Sequence, residues 1–258
     1  MDFATSNLIG RLGNAMFQVA ATTSYALDNN LSPKFPQVKN KPYKNYSKNV
    51  FKKLNFENVK ATSIEFEYQE QNFEYSEIPK YKNVLLKGYY QSEKYFINNK
   101  EVIYNLFKPD EKIKNKIQKK YGSLLKNSVS CHVRLGDYEK LSNHHPVLLQ
   151  TNYYKNIISQ FDNKNILVFS DDINSCKNYE LFQSDNIYFI SGEKDFVDLY
   201  TMSLCESHII ANSSFSWWGA WLNKKENKKV FYPEKWFGPA KTYSTKDLFP
   251  TSWTKVSC

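Results

Sequence analysis

Apolar and polar positions change their period along this chain. Residues 2–9 form a strand-like opening. The glycine-bearing turn Gly10-Arg11-Leu12-Gly13-Asn14 leads it into residues 15–27, where apolar side chains recur at helical spacing. Residues 30–80 show little period and are interrupted by Pro33, Pro36 and Pro42, which predicts loops and short elements. The run Asn83-Val84-Leu85-Leu86-Lys87-Gly88 reads as a strand. It passes into Tyr89-Tyr90-Gln91-Ser92-Glu93-Lys94-Tyr95-Phe96, an aromatic and polar cluster opening a helix. Residues 109–126 read as a polar, basic helix, and the domain boundary is placed there, giving domains 1–126 and 127–258.

From residue 127 the pattern is regular. Strand-like runs at 128–132, 165–170, 186–190, 208–211 and 229–232 alternate with helical stretches near 152–161, 173–182, 195–206 and 215–224. Strands alternating with helices of that length predict a doubly wound parallel sheet of the α/β class.

Composition narrows the class. The 258 residues are 41% hydrophobic and 24% charged, enough for one large or two modest domains with a buried core, and 16% aromatics exclude a disordered polar chain. No run approaches the roughly 18 to 20 apolar residues that span a bilayer. Asp2 stands where a secretory signal carries positive charge, so a cytoplasmic protein is expected. The four cysteines include no C-x-x-C spacing and three lie in apolar segments, which argues against zinc or a disulfide framework. A net charge of +9 admits nucleic acid, an anionic membrane surface or an anionic substrate. The lysines are scattered with asparagines, as in Lys112-Ile113-Lys114-Asn115-Lys116, and each such run reads as a solvated helix face. With no clustered basic stripe and no RNA-binding aromatic signature, a nucleic-acid partner is not expected.

The chemistry gathers at strand ends, where open α/β sheets bind ligands. Ser128-Val129-Ser130-Cys131 runs into His132-Val133-Arg134-Leu135-Gly136-Asp137-Tyr138. An arginine there offers a permanently charged fork for phosphate oxygens; the alternative is an Arg134–Asp137 ion pair tying a loop to the sheet edge. Asp171 and Asp172 follow the next strand and could accept from guanine's edge or a ribose hydroxyl, or cap the following helix. Asn212, Ser213 and Ser214 open the helix at Phe215, whose free N–H groups suit phosphate, unless they form a plain cap. Three such ends would give base, sugar and phosphate a place each. The first turn lacks the G-x-G-x-x-G dinucleotide spacing. There, close backbone approach by a ligand would leave Asn14 and Gln18 as polar contacts. Tyrosines with Gln91 and Glu93 suit a sugar-binding lip or an interdomain seam.

Five stretches together carry a resemblance. They are Gly10-Arg11-Leu12-Gly13-Asn14-Ala15-Met16-Phe17-Gln18, the 88–96 cluster, the 132–138 stretch, Phe169-Ser170-Asp171-Asp172, and Ile210-Ala211-Asn212-Ser213-Ser214-Phe215-Ser216-Trp217-Trp218-Gly219-Ala220-Trp221-Leu222. In this order they resemble the α-1,2-fucosyltransferases of glycosyltransferase family 11. The resemblance implies a GT-B-like pair of Rossmann-type domains facing a cleft, with an acceptor side in 1–126 and a GDP-fucose side in 127–258. It implies inverting transfer from GDP-β-L-fucose to the 2-hydroxyl of a β-galactoside or lipid-linked glycan, with no metal and no cofactor. Arg134 would hold the diphosphate, His132 would sit beside the nucleotide, Asp171 or Asp172 would read guanine, and Ser213, Ser214 and Phe215 would contact phosphate. Asn14, Gln18, Gln91 and Glu93 would face the acceptor. Asp137 is the candidate base, or else the partner of Arg134. Leu135 stands where the family usually has a second arginine, and Ala15 where it usually has glutamine. A surface-polysaccharide role at the inner face of the membrane would suit the basic surface.

Overall fold

The computed structural model describes residues 1–37, 41–57 and 59–258, so residues 38–40 and 58 of the expected loop region lie outside the described residues. The chain divides into two units, Met1–Lys108 with Tyr243–Pro250, and Pro109–Thr242 with Thr251–Cys258.

In the first unit, β1 (Phe3–Ser6) is buried along its whole length and α1 (Leu12–Asp28) buries nearly every side chain to Ala26. Small residues such as Ala20, Ala21 and Ala26 allow that close approach on several sides. The irregular region supplies the expected short elements: β2 (Ser32–Lys34), α2 (Lys41–Lys48) and β3 (Phe66–Gln69). With β4 (Val84–Lys87), the strands form a parallel sheet ordered β2-β1-β4-β3 among the described residues. The edge strand β3 is mostly exposed, and Phe66 stacks on Tyr81 with ring centroids 3.7 Å apart. The helix expected to open within 89–96 begins later, as α3 (Lys100–Phe107). Two short 3-10 turns precede it, Glu93–Tyr95 and Ile97–Asn99, and the Ser92 hydroxyl accepts from the Lys94 N–H at 3.2 Å.

The second unit starts earlier than the composition suggested. The boundary falls after Lys108, because α4 (Glu111–Leu125) buries Ile117, Tyr121 and Leu125 and packs against α8 (Asp195–Leu204). Asp110 caps α4 by accepting from the Ile113 N–H at 2.8 Å. Between them and beyond lie β5 (Ser128–Val133), α5 (Gly136–Lys140), α6 (Tyr153–Ile158), β6 (Asn165–Ser170), α7 (Ile173–Lys177), β7 (Ile187–Ile190), β8 (Ser207–Ile209), α9 (Ser214–Trp221) and β9 (Val230–Pro233). The last strand, β10 (Thr254–Val256), was not legible in the sequence. It pairs with β9 and completes a parallel sheet ordered β10-β9-β8-β5-β6-β7. That is the doubly wound order with its reversal between β5 and β8. The α6 and α7 helices are shorter than their patterns suggested, each giving way to a 3-10 turn, Ser159–Phe161 and Glu180–Phe182.

The segment Tyr243–Pro250 returns to the first unit. Asp247 accepts from the Tyr75 N–H at 3.1 Å and pairs with Lys94, and the Ser92 hydroxyl donates to the Asp247 carbonyl at 2.6 Å.

Candidate active site

β5 and β8 lie side by side, yet the chain leaves β5 toward β6 and leaves β8 toward β9. The two outgoing loops diverge there, which opens the crevice where such sheets take ligands. Arg134 follows β5, and its side chain is only 13% exposed. One guanidinium nitrogen bonds Asp137 Oδ1 and the other meets Asp171 Oδ2 at 3.1 Å. Asp171 Oδ1 also accepts from the Leu135 N–H at 3.0 Å, which ties the end of β6 to the loop after β5. Gly136 has φ +34°, and a Cβ there would stand 2.2 Å from Asp171 Oδ2. The turn therefore requires glycine so that the clamp can close.

Tyr138, in the α5 turn, lies beneath the guanidinium at 5.2 Å and donates its hydroxyl to the Asn212 carbonyl at 3.0 Å. Its ring also stacks on His145 at 4.3 Å, with 13° between the planes. Residue order alone gives Tyr138 no role. Its signal lay only in position, four residues after Arg134 on a short helical turn.

On the β8 side, the Ser213 hydroxyl accepts from the Phe215 N–H at 3.4 Å, and Ser214 begins α9. His132 joins the two strand ends. Its Nδ1 lies 2.9 Å from Ser216 Oγ, that hydroxyl reaches the Ser213 carbonyl at 3.3 Å, and the imidazole stands 5.6 Å from the Phe215 ring. Burial, with a smaller push from Arg134, lowers its pKa to about 3. His132 is thus a neutral strut between β5 and α9 at physiological pH.

The sign of its effect on stability follows. An unfolded chain binds a proton at His132 below about pH 6.5, and the folded chain refuses it until about pH 3. The contribution is complete above the unfolded value and declines as pH falls through that window, by up to about 1.4 kcal/mol per pH unit. His132→Asn should flatten the acid limb of a stability–pH curve by one proton's worth. An unchanged limb in urea titrations would refute it.

Several expected contacts are otherwise occupied. Asp172 caps α7, taking the Ser175 N–H at 3.1 Å and the Ser175 hydroxyl at 2.6 Å, and these bonds hold its carboxyl below the usual range. With Asp171 in the arginine clamp, both carboxylates expected to read guanine already hold protein donors. Asn212 is buried, and its amide donates to the carbonyls of Pro146 at 3.1 Å and Trp236 at 3.3 Å. Its side chain staples two loops, and its carbonyl serves Tyr138.

The first unit carries a second reversal, between β1 and β4. Gln18 is fully buried there. Its Oε1 accepts from the Ile9 N–H at 2.9 Å and its Nε2 donates to the Gly88 carbonyl at 3.1 Å. It braces the two strand-end loops, with both polar atoms of its amide held by backbone groups. Gln91 Nε2 donates to Asn14 Oδ1 at 2.9 Å, bringing these two expected residues together. Glu93 stands half-buried in the adjoining 3-10 turn. Glu70 was missed, because it lies in the region without a period. Its carboxylate accepts from the N–H groups of Tyr89 at 2.7 Å and Tyr90 at 3.0 Å, and burial raises its pKa.

Among the described residues, no group of three or more His, Cys, Asp and Glu side chains is placed to hold a metal ion. No helix among them is long and apolar enough to cross a membrane.

The family model described as glycosyl transferase family 11 matches residues 2–257. An alpha-1,2-colitosyltransferase of Escherichia coli is 33% identical over 296 aligned residues, covering 99% of each chain. Among solved structures, NodZ alpha-1,6-fucosyltransferase soaked with GDP-fucose superposes with a TM-score of 0.54 at 12% identity, over 86% of this chain and 92% of that one. POFUT1 in complex with GDP gives 0.56 at 11% identity, over 90% of this chain and 98% of the other. These likenesses agree with the GT-B-like α/β class expected from the sequence.

Proposed function

Because the chain belongs to glycosyl transferase family 11, we propose that it moves L-fucose from GDP-β-L-fucose to the 2-hydroxyl of a β-galactoside glycan, with inversion and without a metal. At the coarser level it is a fucosyltransferase-like glycosyltransferase that uses a nucleotide sugar. The observation that supports a nucleotide-diphosphate donor is the Arg134 guanidinium at the sheet reversal, where His132 ties the end of β5 to the first turn of α9.

Transfer of this kind builds positive charge on the sugar ring as the β-phosphate departs as an anion. A site that neutralises the departing oxygens with fixed donors lowers that barrier, because the donors need no reorganisation as charge appears. Arg134 supplies two N–H directions, and the Ser213–Phe215 turn supplies the amino end of a helix. Asn14 and Gln91, bonded to each other, are the polar pair we assign to the acceptor side. The acceptor we assign is a lipid-linked or surface-polysaccharide glycan, with the basic chain held near anionic lipid at the inner face of the membrane.

A second donor is favoured by one specific observation, the colitosyltransferase relative aligned along the whole chain. Colitose is fucose without its 3-hydroxyl, so both sugars present the same diphosphate to Arg134. The test is GDP release from GDP-fucose and from GDP-colitose against a panel of β-galactosides. Release from GDP-fucose alone supports the fucosyl reading, and release only from GDP-colitose replaces it. GDP should also raise the thermal midpoint where UDP does not.

A further inference from the structure

We infer that Asp137 competes with the nucleotide's diphosphate for Arg134, and so sets how tightly GDP is held and how fast it leaves. This rests on the assignment of Arg134 as the diphosphate ligand.

Arg134 is matched by two carboxylates, so the three side chains carry a net charge of −1. A cluster of that sign repels a diphosphate until one carboxylate withdraws. The two are not equivalent. Asp171 is 25% exposed and is held a second time by the Leu135 N–H. Asp137 is 42% exposed and projects from the first turn of the five-residue α5. Asp137 is the more solvated of the two carboxylates, so water and an incoming anion displace it more readily, and Asp137 is the arm that yields.

A diphosphate brings at least two negative charges and oxygens that match the guanidinium fork, which lets it outcompete one exposed carboxylate. Asp171 and the Tyr138 ring keep the guanidinium aimed during the exchange. When GDP departs, Asp137 returns to the vacated nitrogen, so the buried guanidinium regains its second carboxylate. The cost is weaker nucleotide binding.

Removing the Asp137 charge should therefore improve nucleotide binding rather than weaken it. Calorimetric titration of GDP into the full chain is expected to give a dissociation constant about three- to fivefold lower for Asp137→Asn than for the parent, on the scale of one solvent-accessible ion pair. Stopped-flow release of GDP should slow in proportion. Asp171→Ala should move the other way, because it removes the acceptor that holds the Leu135 N–H together with the contact that aims the guanidinium. Asp137→Glu keeps the charge and should hold GDP affinity within about twofold of the parent. Equal or weaker GDP binding by Asp137→Asn, with the parent binding normally, would overturn the competition. Failure of the parent to bind GDP at all would instead overturn the donor assignment on which it rests.

Discussion

Arg134→Ala is expected to lower turnover at saturating donor by at least about a hundredfold, the scale of removing one preorganised donor from a site where charge develops. The variant loses the only arginine at the β5 end, since Leu135 beside it is buried in the apolar core around β5. It also leaves Asp137 and Asp171 without the cation that lies between them, so the proposed phosphate site becomes purely anionic. Arg134→Lys should recover only part of the loss, because one ammonium cannot reproduce two N–H directions in a fixed plane. Initial rates of GDP release check this, with an unchanged unfolding midpoint as the folding control. Turnover within a few fold of the parent would remove Arg134 from the chemistry.

The second large effect concerns α9. Trp217→Ala is expected to destabilise the second unit by about 3–5 kcal/mol, the range for truncating a fully buried large aromatic. Trp217 is completely buried and stands 5.1 Å from Trp218, 6.3 Å from Trp221 and 5.4 Å from Trp253, measured between ring centroids. Four indoles this close leave no small group able to move into the void, so the cavity persists. On the neighbouring face, Gly219 meets Met202 of α8, where a Cβ would come within 3.1 Å of the Met202 Cβ. The helix whose first turn is proposed to meet phosphate is anchored by its remaining turns. A fall in the guanidinium midpoint worth less than about 1 kcal/mol, with an unchanged slope, would contradict this packing account.

The clamp and the tryptophan cluster differ in how they could be read from residue order. Trp217, Trp218 and Trp221 fall within five residues, so their shared apolar mass is visible locally. Trp253 joins them from beyond a returning segment, and no local pattern announces it. Likewise Arg134 and Asp137 are three residues apart, and their pairing was one of two readings open from spacing alone. Asp171 enters the clamp from 37 residues away, because β5 and β6 run in parallel register and end together. Glu70 and Gln18 show the same limit. Each looks like an ordinary polar residue in its own neighbourhood, and each is spent on backbone groups of a loop from elsewhere in the chain.

Hydrophobic period is a property of successive residues, so the chain's own order was enough to establish the parallel second sheet, the strand ends that carry Arg134 and Ser213, and the helix that opens at Phe215. Hydrogen-bond and ion-pair partners depend on which strands become neighbours. Only the tertiary structure therefore decided that His132 is a neutral strut, that Asp172 is a cap, that β10 closes the sheet, and that Asp137 and Asp171 divide one guanidinium between them.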